Sequence, residues 1–77
     1  MNKNEKLLRK ISKGDRDKIK IAVTLIKNNN FQLLDFKKLT SSKNMYRVRI
    51  GKFRIKFCAY LTHNEIVEIV RRSNNTY

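Results

Sequence analysis

Apolar and cationic residues alternate from Met45 to Phe57. Tyr46, Val48 and Ile50 fall on one side of a strand, and Arg47 and Arg49 on the other. After Gly51, the residues Phe53, Ile55 and Phe57 alternate with Arg54 and Lys56. A period of two places successive side chains on opposite faces, so one face is buried and the other is an array of cations. The pattern predicts strands over Met45 to Ile50, Lys52 to Leu61 and Glu65 to Arg71. Gly51-Lys52 makes a tight first turn and Thr62-His63-Asn64 the second. Upstream the period changes. Leu7, Leu8 and Ile11 suit a short helix from about Lys3 to Ser12, ended by Gly14. Asp15 is placed to cap a second helix, in which Ile19, Ala22, Val23 and Ile26 share a face until Asn28-Asn29-Asn30 breaks it. Phe31 to Leu39 reads as a connector anchored by Phe31, Leu33, Leu34 and Phe36, and Thr40 to Asn44 as a polar loop. The fold class expected is α+β: an N-terminal helical hairpin packed on a small antiparallel β-sheet, a meander of about three strands, in a single domain spanning residues 1–77.

Charge sharpens this picture. The 77 residues include 19 Lys and Arg against 6 Asp and Glu, for a net charge of +13. Self-repulsion at that charge opposes compaction, and a chain this short buries only ~60% of its unfolded surface. A polyanionic or acidic partner is therefore expected, either nucleic acid or an acidic protein. Cys58 is alone, which excludes an intramolecular disulfide framework and a cysteine-rich zinc site. No apolar run suits a membrane helix, and the first residues lack a signal-peptide core, so a cytoplasmic location without membrane contact is expected.

The expected open sheet face carries Arg47, Arg49, Arg54 and Lys56, with Arg71 or Arg72 from the last strand. Singly, each cation suits an ordinary solvated strand face. As a set on so basic a chain, they suit a phosphate backbone, which the planar fork of arginine grips bidentately. Such a face can also promote RNA cleavage, because the 2′-hydroxyl of RNA attacks its own adjacent phosphate and needs neither metal nor protein nucleophile. No carboxylate cluster for a metal is visible, and no cofactor is implied. The reaction requires a proton acceptor and a donor. Arginine, with a pKa above ~12, is a poor base. Tyr77 is a candidate acid or base among surrounding cations. Lys52 and Lys56 are weaker ones that also offer phosphate contacts. His63 reads as a solvated turn residue, and Tyr46 and Tyr60 as packing residues with some capacity to stack on bases.

The helical hairpin from Leu7 to Ile26, the segment Lys37-Lys38-Leu39, the run Tyr46-Arg47-Val48-Arg49-Ile50-Gly51-Lys52-Phe53-Arg54-Ile55, and the close Ile69-Val70-Arg71-Arg72 with Tyr77 together resemble the RelE/ParE superfamily, the toxins of type II toxin–antitoxin modules. RelE-type members cut mRNA in the ribosomal A site. The resemblance implies that Arg54 contacts the scissile phosphate. It implies that Arg72 (or Arg71) stabilises charge or protonates the leaving group, and that Tyr77 orients or activates the attacking hydroxyl. Arg47 and Arg49 stand where some members use lysines, which keeps phosphate binding and weakens any general-base role. Family members usually open with a strand before the hairpin. Nothing before Leu7 reads as one, so a shorter sheet with an unprotected edge is expected.

Three functions follow. The first is a ribosome-dependent mRNA endonuclease toxin, neutralised by a cognate antitoxin whose acidic segment folds over the basic face. The second is a ParE-like inhibitor of DNA gyrase. The third is a catalytically inactive module that binds RNA or an antitoxin. The combination of Arg54, Arg72 and Tyr77 favours the first.

Overall fold

The computed structural model describes residues 3–39 and 43–71. Two helices, α1 (Lys3–Lys10) and α2 (Lys13–Lys27), precede four strands: β1 (Asp35–Lys38), β2 (Met45–Ile50), β3 (Phe53–Ala59) and β4 (Asn64–Arg71). The strands form one antiparallel sheet in the order β1-β2-β3-β4, with both helices on one side. Among the described residues no strand precedes α1, and no helix is long and apolar enough to cross a membrane.

The sheet has one strand more than the expected meander. The extra strand, β1, lies inside the segment read as a connector. Only Phe36 supplies an apolar inward side chain there, and all four residues of β1 are exposed, so its alternation is too short to register in the sequence. It is held by its pairing with β2 and by aromatic stacking. The Phe31 ring lies 4.5 Å from Phe36 and 5.7 Å from Phe57, and Tyr46 lies 5.8 Å from Phe36 and 5.5 Å from Phe57. Each such contact adds about 0.5–1.5 kcal/mol beyond area burial. Tyr46 is therefore a packing residue.

The helices begin and end on identifiable chemistry. Ser12, not Asp15, caps α2: its Oγ accepts from the Asp15 N–H at 3.2 Å. Asp15 instead sits in the first turn, where its charge complements the helix dipole, and Gly14 lies inside α2 rather than ending α1. Arg16 then ties the helices together, with Nε donating to the Leu8 carbonyl (3.0 Å) and Nη2 to that of Ile11 (3.4 Å) at the C-terminal end of α1. At the far end of α2, Asn29 takes a left-handed φ of 57°. The N–H groups of Asn29 and Asn30 return to the carbonyls of Ile26 (3.1 Å) and Leu25 (2.9 Å), the two bonds of a Schellman cap.

Ile19, Ala22 and Ile26 of α2 are buried against Val48, Phe53, Ile55, Phe57 and Ile69 of the sheet. Ala22, without a long side chain, lets the helix lie close. Leu7, Leu8 and Ile11 extend this core beneath α1. Asn64 is the buried polar exception, only 8% exposed. Its Nδ2 donates to the Ile26 carbonyl and to Asn29 Oδ1, both at 2.7 Å, binding the α2 cap to the start of β4. Asn64→Ala leaves these acceptors unpaired and should lower unfolding stability by about 1–3 kcal/mol in urea titration. A loss below about 0.5 kcal/mol, the lower end for an ordinary hydrogen bond, would show that this tie does not hold the cap.

Candidate nucleic-acid interface

The pleat decides which side chains face away from the helices. With Val48, Phe53, Ile55 and Phe57 buried, Arg47, Arg49, Arg54 and Lys56 are turned to the opposite face, as the alternation predicts. Arg47 stands directly opposite Lys56, and Arg49 directly opposite Arg54. The Ala59 N–H donates to the Asn44 carbonyl at 2.9 Å, so the odd-numbered positions of β3 make the backbone bonds to β2. Arg47–Lys56 and Arg49–Arg54 are thus the non-hydrogen-bonded pairs, in which side chains approach most closely. Like charges placed directly opposite destabilise a sheet by up to about 1 kcal/mol per pair.

Counter-charges flank one pair. Arg47 lies 3.7 Å from the Asp35 carboxylate and donates to the Asp35 carbonyl at 3.5 Å, while Lys56 lies 3.5 Å from Glu68. The Arg47 side chain is only 11% exposed. The other pair makes no ion pair among the described residues, although Asp35 stands directly opposite Arg49 on β1. Arg54 faces Val70 on its β4 side, and its Nε is buried with no hydrogen-bond partner among the described residues. Leaving such a donor unpaired costs about 1–3 kcal/mol.

The turn beyond Arg49 and Arg54 is fixed by backbone geometry. Gly51 has φ +56° at the first central position of the two-residue loop, the type II′ pattern, and a Cβ there would be strained although no atom lies within 4 Å. Lys52 is exposed on this turn, next to the Arg49–Arg54 row. Lys37, opposite Arg47 on β1, joins the face because β1 is a strand; sequence reasoning missed it with the strand itself. Glu68 reaches the face through a bulge. Unbroken alternation from Ile66 would turn Glu68 inward, but the register shift at Lys56/Phe57 leaves Val67 as an extra residue and sends Ile69 to the core.

Arg71 does not join the array. It pairs with buried Phe53 and so lies on the helix side of the sheet, because the residue of β4 beside Arg54 is Val70. Arg72 and Tyr77 lie outside the described residues. His63 is in the β3–β4 turn, stacked 5.1 Å from Tyr60 and 3.0 Å from the Thr62 hydroxyl, away from the arginines. The Tyr60 hydroxyl is held above its ordinary value of 10.0 by hydrogen bonding to Cys58, then by charge at Cys58 and Glu65. It remains protonated near neutral pH. No group of His, Cys, Asp and Glu among the described residues is arranged to hold a metal.

The sequence matches no protein-family model and no curated protein. The structure is similar to a chain in the crystal structure of a RelB-RelE antitoxin-toxin complex from Methanococcus jannaschii. The TM-score is 0.75 at 22% identity, over 92% of this chain and 86% of that one. The fold is RelE-like. The RelE-like sheet here carries its cations on the side away from the helices, in directly opposed like-charged pairs.

That opposition yields a measurable consequence. Arg54→Glu replaces a repulsive cross-strand pair with an attractive one and should stabilise the fold by about 0.2–1 kcal/mol in low-salt urea unfolding. The gain should shrink as salt screens it. A less stable Arg54→Glu protein at low salt would mean that the pair is not under repulsion.

Proposed function

We propose that the chain is the toxin of a toxin–antitoxin pair, acting as a ribosome-dependent endonuclease on mRNA in the ribosomal A site. The observation that carries this reading is the like-charged quartet Arg47, Arg49, Arg54 and Lys56 on a RelE-like sheet, with Arg54 Nε unpartnered among the described residues. A site that disfavours its own fold to concentrate cations is the kind of local conflict expected where a ligand binds.

In the proposed reaction the 2′-hydroxyl attacks the adjacent phosphorus and the bond to the 5′-oxygen breaks. The products are a 2′,3′-cyclic phosphate and a 5′-hydroxyl end. Arg54 and Arg49 hold the non-bridging oxygens and stabilise the charge that develops on them. Arg47, Lys56, Lys37 and Lys52 fix the backbone on either side. Tyr77 assists removal of the 2′-hydroxyl proton and Arg72 supports the leaving oxygen, roles that rest on the family resemblance. A cognate antitoxin with an acidic segment neutralises the face.

The test is a translation reaction programmed with a defined mRNA and mapped by primer extension, with wild type and Arg54→Ala compared. Wild type should cut within codons. Arg54→Ala, while still folded, should cut at least ~100-fold more slowly, the effect of losing one preorganised donor worth about 3 kcal/mol. Absence of cuts by folded wild type would overturn the endonuclease reading, and inhibition of gyrase supercoiling by that protein would point to the ParE-like alternative.

A further inference from the structure

The open face of the sheet continues past the cations. Along β3 the side chains on that side are Arg54, Lys56 and Cys58, and the same alternation carries Tyr60 onto it. The β3–β4 register pairs Cys58 with Glu65 and Ala59 with Asn64. The Tyr60 N–H donates to the His63 carbonyl at 2.8 Å, so the ladder extends one step and sets Tyr60 opposite His63. Asn64 is buried on the helix side, which turns its neighbour His63 toward the open face. At the rise of a strand, Tyr60 lies roughly 13 Å from Lys56 and roughly 20 Å from Arg54.

This end of the face is aromatic where the other is cationic. The Tyr60 and His63 rings stack with centres 5.1 Å apart and planes 29° apart. Each ring is also held from the side. The Tyr60 hydroxyl hydrogen-bonds Cys58, the preceding residue on the same face, and the Thr62 hydroxyl lies 3.0 Å from His63 Nδ1. Rings fixed in this way lose little freedom when a ligand binds. A stack uses one face of each ring. Tyr60 remains 51% exposed, and His63 is exposed, so the pair keeps aromatic surface for a further ring. Between the pair and the cations lie Met45 and Cys58, both half-buried, and exposed Glu65. The charge of Glu65 reaches the Tyr60 hydroxyl and repels phosphate there, so this end suits a base and not the backbone.

We propose that the Tyr60–His63 pair is a stacking site for one unpaired nucleobase of a single-stranded RNA whose phosphates lie on the cation rows. The presence of RNA on this face rests on the proposed function; the aromatic site is new to it. The strand runs along β3 from Arg54 toward the β3–β4 turn, and one base lies on the free face of Tyr60. Every base has a π-face, so the site anchors the strand without reading its sequence. Tyr60 acts here as a positioning residue. Its fixed distance from the Arg49–Arg54 pair sets which phosphate of the strand those arginines hold.

The probe is a short single-stranded RNA in which one abasic nucleotide is moved along the strand, with affinity for the full chain measured at each position. Removal of the base that stacks should weaken binding about tenfold. Tyr60→Ala should weaken the intact RNA by a similar factor, with no further loss at that abasic position, because both changes remove one contact. Tyr60→Phe and Tyr60→Trp, which keep a ring, should bind within about threefold of wild type. Tyr60→Ala should also keep the slope of log K against log salt, which the loss of a phosphate contact would reduce. The abasic scan on wild type carries the test by itself if the alanine variant does not fold.

An abasic scan without a sensitive position would overturn the proposal. So would wild-type affinity in folded Tyr60→Ala, or additive losses from that variant and the abasic nucleotide. A double variant, Arg49→Gln with Arg54→Gln, separates this site from the reading beneath it. Lost affinity in the double variant and none in Tyr60→Ala would overturn the stacking site alone. Affinity indifferent to all of these changes would overturn both. Binding is read on RNA without ribosomes, so an absence of mRNA cleavage would count against the endonuclease and not against this site.

Discussion

The pleat of β2 and β3 is the constraint on which the rest depends. The strands that bury Val48, Phe53, Ile55 and Phe57 against α2 must send Arg47, Arg49, Arg54 and Lys56 to the other face. The magnitudes decide the outcome. Full burial of each Val, Ile or Phe contributes about 1.5–3 kcal/mol, whereas each like-charged pair costs up to about 1 kcal/mol. The core therefore holds the cations together against their repulsion, and presenting them on one face needs no rearrangement. A register slip of one residue would exchange the faces and bury the arginines, so the same burial also fixes the register.

Around this sheet the chain divides its surfaces. The helices cover one face, and α1 reaches the β4 edge through Asn4. Asn64 and the asparagine cap anchor the C-terminal end of α2 to the beginning of β4. The opposite face is basic, and the β1 edge is open beside an aromatic groove. Asp35 and Glu68 form ion pairs with Arg47 and Lys56, whereas Arg49, opposite Asp35 on β1, and Arg54 form none among the described residues. The Lys56–Glu68 pair, exposed at both side chains, contributes little to stability.

The alternation along β2 and β3 was legible because it runs unbroken on both sides of a glycine turn. The α2 stripe was legible for the analogous reason at helical spacing. What escaped the sequence depended on partners distant along the chain. Strand β1 has too few residues and one inward apolar side chain, and it exists through pairing with β2. Asn64 reaches a helix cap 35 residues away, a contact no local pattern announces. The bulge at Val67 turns Glu68 outward, and the β4 register moves Arg71 off the arginine face. Ser12 as a cap was locally readable, because Ser12 and Asp15 have the spacing of a capping motif, but serine and aspartate are about equally good caps, so the local pattern fits either position.

The central claim is that the opposed cations form one phosphate-binding unit. The direct measurement is the salt dependence of affinity for a short single-stranded RNA. The opposed cations Arg47, Arg49, Arg54 and Lys56, at about 0.7 counterion each, contribute near −3 to the slope of log K against log salt, and Lys37 and Lys52 add to it. Replacing Arg49 and Arg54 with Gln should make the slope shallower by about 1.4. A slope unchanged by the double substitution, in a protein that remains folded, would contradict the account and place the RNA elsewhere.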